Sequence, residues 1–550
     1  MPRSNGADVL LECLQANGVD TIFGLPGGQL NDFFDSMQRA GSAIAYYGSR
    51  HEQGAAYMAF GFAKATGQVG VYTVVPGPGV LNTGAALCSA YANSTPILCV
   101  TGQIPSQAIG RGIGELHELP DQLATLRSLT QWSERIDHPS QISQTVHEAF
   151  RRLKTGRPRP VALETPPDVM AMTTAVPAPK VFDDSADAVF DEDLVADAAK
   201  ALAGAKKPLI VVGGGAQHAS AELRELAEML QAPVVSFRNG RGIVSDRHYL
   251  GHNFVSGYAL WKEADVVLGI GSRMQPYLQE WGVDAEMTLI RVDWDPTEIG
   301  RIVPADIGIC GDARAVTAAL CARLPGHLGA RPSREEELTA VKERAAADIS
   351  AIQPQLAFLE AIRAELPDDG ILVDEITQVG FASWFGFPVY HPRSLITCGY
   401  QGTLGYGYAT ALGVKVGAGD RPVVALAGDG GFMFNVQELA TAAQYGIALT
   451  VIVFNNNRFG NVRRHQQEWY EGRYIGSELR NPNFVALAEA FGVDGYTASS
   501  PDTLRPVLKQ ALASGRPGLI EVTVDDMASP WRFILRERVR GRIASRKEGA

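Results

Sequence analysis

The sequence predicts an α/β protein of three doubly wound parallel-sheet domains, and three observations carry that prediction. Short apolar runs recur along the chain, among them "VGVYTVV", "PILCVTG", "PLIVVGG", "DVVLGIG", "GILVDE", "PVVALAG" and "LTVIVFN". Many are rich in Val and Ile and they alternate with stretches of helical periodicity, the pattern of strands buried on both faces between crossover helices. Glycine-rich turns follow these runs in each part of the chain, at the strand C-termini where open parallel sheets bind ligands. Finally, 550 residues exceed what one hydrophobic core holds, about 250–300 residues.

Two composition breaks divide the chain. "TPPDVMAMTTAVPAPKVFDDSAD", Thr165 to Asp187, is Pro-rich and aperiodic, and "RLPGHLGARPSREEE", Arg323 to Glu337, moves from Pro and Gly to charge. Both read as linkers. They leave domains at 1–168, 190–325 and 350–530, with a basic tail at 531–550. The run "RFILRERVRGRIASRK" in that tail, Arg532 to Lys547, reads as a solvated terminal helix, with an anion-binding or site-covering segment as the alternative.

A composition of 46% hydrophobic, 20% charged and 8% aromatic residues supports large cores and gives no sign of long disorder. The net charge of −11 argues against nucleic acid or an anionic membrane as partner. The six cysteines show no CxxC pair and no metal-ligand spacing, so most are expected to be core thiols. The N-terminus lacks a basic region followed by an apolar one, and no apolar segment approaches the ~20 residues of a membrane span. A cytoplasmic setting is the expectation.

Chemistry concentrates in "LAGDGGFMFNVQELATAAQYGIALTVIVFNNNRFG", Leu426 to Gly460. One apolar strand ends at Asp429, a helical segment follows, and the next strand delivers Asn455, Asn456 and Asn457. A strand–helix–strand unit of this kind sets the two strand ends side by side. One carboxylate and one amide oxygen there suit Mg²⁺, a hard ion that keeps water and phosphate oxygens in its shell. Gly428, Gly430 and Gly431 let backbone N–H groups approach a diphosphate. Either half alone would also fit an ordinary turn or helix cap.

Taken together the two halves resemble the diphosphate motif of thiamine diphosphate (ThDP) enzymes. The resemblance implies that Asp429 and the Asn456 side chain hold Mg²⁺ with the Arg458 main-chain carbonyl, and that Phe459 and Gly460 border the cofactor. It also implies a glutamate beside the pyrimidine ring that promotes loss of the thiazolium C2 proton. "YGSRHEQGAAYMAFGFAKATGQVGVYTVVPGPGVLN" follows the family's glutamate motif closely and makes Glu52 the match, with Asn82 on the pyrimidine side. A carboxylate among apolar neighbours has a raised pKa and can pass a proton near neutral pH. "FGLPGGQLNDFFDSM" resembles the family's glycine loop and brings Pro26, Gly27 and Gly28 to the cofactor. In "CGYQGTLGYGYATALG", Leu404 matches the bulky residue that supports the bent cofactor, and Gly402 and Thr403 offer backbone contacts. The three domains are then pyrimidine-binding, central and diphosphate-binding.

The resemblance runs from Gly24 to about Val524 and is greatest to acetolactate synthase, with three departures. "SRMQPYLQEWG" stands where those enzymes carry an arginine- and aspartate-rich loop, which argues against FAD. Gly213-Gly214-Gly215 alone is a weak nucleotide signal, so FAD or ADP in the central domain is possible but unsupported. "ELHELPDQ" replaces a Phe-Gln-Glu pattern and offers His117, or Glu118 if the register slips, as the acid/base near the substrate. His465 stands where the family's anabolic enzymes carry a tryptophan that shapes acceptor choice, and it reads equally as a solvated helix residue.

The expected function is a Mg²⁺- and ThDP-dependent lyase or carboligase acting on a 2-oxo acid. A homodimer or homotetramer with sites between subunits is implied. Alternatives are a non-ligating 2-oxo acid decarboxylase, a 2-hydroxyacyl-CoA lyase, a cyclic-diketone hydrolase, or a ThDP-binding scaffold without turnover.

Overall fold

The computed structural model describes residues 3–183 and 189–541. Every apolar run named above forms a strand, and the strands assemble into three six-stranded sheets. The first sheet has the order Ala45–Gly48, Thr21–Gly24, Gly70–Val74, Ile97–Gly102, Val161–Thr165, Trp132–Arg135, all parallel. Three of its four inner strands, Gly70–Val74, Ile97–Gly102 and Val161–Thr165, are buried along their whole length, which is why they read as unbroken apolar runs. The third sheet places Val423–Gly428 between Ile371–Val373 and Thr450–Asn455, followed by Gly518–Thr523 and Asp494–Ala498, with the short strand Leu395–Ile396 at the other edge.

The chain forms two compact units. One comprises Met1–Ala186, Glu365–Thr377 and Ile396–Asp526, and therefore carries the first and third sheets. The other comprises Asp187–Ala364, Gln378–Leu395 and Met527–Ala550 and carries the middle sheet, ordered Gly251–His252, Val234–Ser236, Pro208–Val212, Val266–Ile270, Thr288–Asp293, Ile307–Cys310.

In the first unit the two sheets share one apolar core, built around helix Glu52–Thr66 against helix Tyr406–Ala418. Their backbones meet through glycine. A Cβ at Gly61 would lie 2.0 Å from the Thr410 carbonyl oxygen, and one at Gly413 would lie 1.9 Å from that of Met58. Helix Glu52–Thr66 starts at His51, whose Nδ1 accepts the Gln53 N–H, and stops at Gly67, which takes φ 78°. A left-handed residue at that position is the usual helix terminator.

Two expectations need correction. The stretch 165–187 is not structureless where it is described: it holds helix Pro167–Ala171 and strand Thr173–Ala175, which pairs antiparallel with Arg3–Asn5. The basic tail is not a solvated helix either. Only Trp531–Ile534 is helical. Beyond it the Arg540 guanidinium is buried against the Asp284 carboxylate, 3.2 Å away, and the Ala264 carbonyl. The Val539 and Arg540 N–H groups donate to the Trp281 carbonyl at 3.0 Å. Guanidinium groups of this tail find fixed acceptors in the second unit, and Phe533 and Ile534 are buried. The rest of the tail's basic run, from Arg542 to Lys547, lies outside the described residues. Among the described residues no helix is long and apolar enough to cross a membrane.

Candidate active site

Strands Val423–Gly428 and Thr450–Asn455 are parallel neighbours in register Gly428↔Phe454, so their ends lie side by side. Asp429 begins the short helix Asp429–Phe432 and is 3% exposed. Its Oδ2 accepts hydrogen bonds from the Arg458 N–H at 3.2 Å and from Asn481 Nδ2 at 2.7 Å. Burial raises its pKa, and the Asn481 amide and backbone N–H groups partly offset that.

The three asparagines divide the work. Asn455 ends the strand and is held by its neighbours: Oδ1 accepts from the Asn457 N–H at 3.1 Å and from Asn481 at 3.0 Å, while Nδ2 donates to Glu521 Oε1 at 2.7 Å. Asn457 sits at φ 55°, the left-handed region that asparagine tolerates, and turns the chain so that the Arg458 N–H returns to Asp429. Asn456 lies half-buried between them, and a Cβ at Gly460 would come within 3.4 Å of its amide nitrogen. The Phe459 ring covers Gly430, where a Cβ would be 2.4 Å from ring carbon Cε1. Among the described residues no group of three or more His, Cys, Asp or Glu side chains gathers. A cation here would rest on one carboxylate and neutral amide or carbonyl oxygens, a donor set that fits Mg²⁺.

Glu52 opens its helix at the C-terminal edge of the first sheet. Its Oε2 accepts a hydrogen bond from Asn82 Nδ2 at 3.0 Å, and a Cβ at Gly79 would lie 3.7 Å from Oε1. Gly27 packs on the same edge, since a Cβ there would meet Val75 Cγ1 at 2.3 Å, while Pro26 and Gly28 are exposed. The entry to the helix is fixed by Glu438, which is wholly buried. The Glu438 carboxylate accepts the N–H groups of Arg50 at 3.1 Å and His51 at 3.0 Å, and the Thr441 hydroxyl at 2.6 Å. A Cβ at Gly54 would stand 2.4 Å from Glu438 Oε1, so only glycine fits there. The glutamate motif and the diphosphate motif are thus joined by hydrogen bonds inside one chain.

His117 lies at φ 72° and is half-buried, and its Nδ1 has no hydrogen-bond partner among the described residues. Glu118 is engaged otherwise. Its carboxylate accepts the N–H groups of Gly112 at 3.0 Å, Gly114 at 2.8 Å and Glu115 at 3.0 Å, which hold its pKa below the ordinary value. It closes the loop on itself, and of the two candidates His117 is the one with a free polar atom.

Leu404 is half-buried in a turn held from both sides: Thr403 Oγ1 lies 3.0 Å from Ser89 Oγ, and the Gly405 N–H donates to Glu375 Oε1 at 2.6 Å. Gly402 supplies a positive φ of 59° in that turn. No hydrogen bond between described residues joins Glu52 or His117 to Asp429, Asn456 or Leu404. His465 sits on helix Gly460–Trp469, none of whose residues is buried, and stacks on Trp469 with ring centroids 4.1 Å apart.

Four residues at the site escaped the sequence reading: Asn481, Glu438, Gln122 and Glu375. Glu375 follows strand Ile371–Val373 and is buried, and its pKa is pushed up to about 8 by desolvation, with Asp374 adding to the effect. A Cβ at Gly431 would lie 2.5 Å from its Oε1, so this carboxyl lies directly against the Gly428–Gly431 turn. Two acids closing the buried strand of "GILVDE" were the available signal.

In the second unit, the Gly213–Gly215 turn packs on the neighbouring strand end. The Gly213 N–H donates to the Ile270 carbonyl at 3.1 Å and the Gly215 N–H to that of Gly271 at 3.0 Å. A Cβ at Gly213 would lie 2.4 Å from the Gly271 oxygen. Close packing accounts for Gly213 and Gly215. The replacement segment folds as Pro276–Trp281, with Tyr277 and Trp281 buried against Phe254 and Trp261.

Comparison with known proteins agrees with this geometry. Residues 4–125, 195–320 and 375–522 match the N-terminal TPP binding, central and C-terminal TPP binding domains of thiamine pyrophosphate enzymes. A probable acetolactate synthase large subunit of Methanocaldococcus jannaschii is 33% identical, covering 94% of this chain and 92% of the relative. A probable 2-ketoarginine decarboxylase of Pseudomonas aeruginosa is 34% identical, covering 93% of each. The acetolactate synthase isozyme 3 large subunit of Escherichia coli is 32% identical, covering 96% of each.

Proposed function

We propose a reaction from the premise that this chain belongs to the thiamine pyrophosphate enzymes related to acetolactate synthase: with Mg²⁺ and ThDP it decarboxylates a 2-oxo acid and transfers the remaining acyl unit to a carbonyl acceptor. The observation that carries the reading is the buried Asp429 beside the end of strand Thr450–Asn455, its Oδ2 already held by Asn481 and the Arg458 N–H. A carboxylate so oriented can offer its other oxygen to Mg²⁺, joined by the Asn456 amide and the Arg458 carbonyl. When bound, the cofactor supplies an acidic C–H and a sink for the electrons released with CO₂.

Everything else falls to the chain. Glu52, one of whose oxygens is fixed by Asn82, would hold and move a proton beside the cofactor's pyrimidine ring. His117 carries protons to and from the substrate. Leu404 would support the cofactor, and the turns at Pro26–Gly28, Gly402–Thr403 and Gly428–Gly431 would border it. A second copy of the chain completes each site, one copy supplying Glu52 and the other Asp429.

A second reading is favoured by the Pseudomonas aeruginosa relative and by the altered loop Ser272–Gly282: decarboxylation without ligation of a 2-oxo acid bearing a cationic side chain. Incubation with pyruvate and with a guanidino 2-oxo acid separates the two, acetolactate marking the first and an aldehyde the second.

The shared premise is tested with Glu52→Gln. The variant should bind ThDP as the wild type does by calorimetry, yet exchange the C2 proton of bound ThDP far more slowly by NMR. Wild-type exchange in the variant would remove Glu52 from the reaction.

A further inference from the structure

Gln122 opens helix Gln122–Leu129 and is 2% exposed. Its whole amide is engaged. Oε1 accepts the Gly77 N–H at 2.8 Å, and Nε2 donates to the Gly102 carbonyl at 3.0 Å and to Glu164 Oε2 at 2.9 Å. Gly102 and Glu164 belong to neighbouring strands, Ile97–Gly102 and Val161–Thr165, so two of the three bonds anchor Gln122 to the rigid sheet.

The third bond reaches the segment between the two side chains assigned above to proton transfer. Gly77 takes φ 62°, and a Cβ there would lie 2.4 Å from the His117 carbonyl oxygen. One residue later begins the helical turn Pro78–Asn82, from which Asn82 bonds Glu52 at 3.0 Å. On the other side, Leu116 is held by Gln29, whose Nε2 donates to its carbonyl at 3.0 Å.

We propose that Gln122 is a positioning residue that fixes Glu52 and His117 relative to one another through the Gly77 N–H. This inference rests on the reading that both residues move protons at a ThDP site. The chemistry requires an amide: one acceptor for an N–H, and two donors for a carbonyl and a carboxylate. An ionised glutamate has no donor and a lysine has no acceptor. The charged groups facing this amide are Glu164 on its own strand, Arg135 with Nη1 3.6 Å from Glu164 Oε1, and Asp121 at the start of the helix.

Two variants test the proposal. Gln122→Met keeps the length and apolar bulk of the side chain and deletes all three bonds. C2 proton exchange on bound ThDP should slow by about tenfold or more, equivalent to ~1.4 kcal/mol, while ThDP affinity stays within about threefold. In the cofactor-free protein, amide hydrogen exchange across Gly77–Asn82 should quicken relative to the wild type.

Gln122→Glu supplies the sharper outcome. Next to Glu164 the two carboxyls share a proton when the pH is low, and a protonated carboxyl both donates and accepts. The exchange rate of this variant relative to wild type should therefore recover towards about pH 5.5 and collapse towards about pH 8. A group needed only for folding gives no such recovery at constant thermal midpoint. Unchanged C2 exchange in Gln122→Met, a pH-independent ratio in Gln122→Glu, or loss of ThDP binding in both overturns the proposal. If the wild type itself neither binds ThDP nor exchanges the C2 proton, it is the ThDP reading that fails.

Discussion

Replacing Glu375 by Gln removes one titratable proton from against the Gly428–Gly431 turn while keeping the shape of the side chain. Burial raises this carboxyl from 4.5 to about 8, with the N–H groups of Gly405, Gly428 and Gly407 pulling the other way and Asp374 reinforcing the rise. A carboxyl raised on folding contributes its stability fully below its unfolded pKa and loses it as pH climbs through the folded one. The window here runs from 4.5 to about 8. At 1.36 kcal/mol per unit, the ceiling of the effect is roughly 5 kcal/mol. The assay is thermal unfolding of both cofactor-free proteins from about pH 5 to about pH 9, reading only the difference between them so that shared titrations cancel. The Gln variant should gain on the wild type steadily up to about pH 8 and then stop gaining. A diphosphate bound over the same turn would hold the carboxyl neutral still higher, so ThDP affinity should weaken above that pH in the wild type and stay level in the variant. A difference that is flat in pH, or one that grows in favour of the wild type, refutes the buried neutral carboxyl.

Two further outcomes follow from the packing. Asn481→Ala removes the amide that orients Asp429 and Asn455, and Mg²⁺ affinity in the presence of ThDP should fall about 10–100-fold by calorimetry; unaltered affinity would show that Asp429 needs no such support. Gly413→Ala drives a methyl to 1.9 Å from the Met58 carbonyl and should cost about 1–3 kcal/mol or more, seen as a lowered thermal midpoint; a neutral effect would mean that helices Glu52–Thr66 and Tyr406–Ala418 are not locked backbone to backbone.

The residues legible in the sequence share a location. Asp429, Asn456, Glu52 and Gly27 all lie at or just beyond the C-terminal ends of strands, and those ends are marked by local composition: a buried apolar run, then glycine or a polar cap. Parallel strands joined by right-handed crossovers are usually neighbours, so the adjacency of Asp429 and Asn456 follows from order along the chain. What holds these residues was invisible for the opposite reason. Asn481 stands 52 positions from Asp429, in a loop whose composition marks nothing. Glu438 reads as one polar position in "NVQELATAAQYG", yet it is buried, because the N–H groups of Arg50 and His51 at the helix entry require an acceptor. Gln122 looks like the first residue of an amphipathic helix, and only the fold brings Gly77, Gly102 and Glu164 around its amide. The tail misled in the same way, since an arginine-rich run looks solvated until its carbonyl and carboxylate acceptors are in place. Supporting side chains bond to backbone N–H and C=O groups, which every residue has, so no residue type near them in sequence announces the contact. A sequence therefore exposes the groups that would meet a ligand sooner than the groups that aim them, and substitutions at Asn481, Gln122 and Glu375 probe that second set directly.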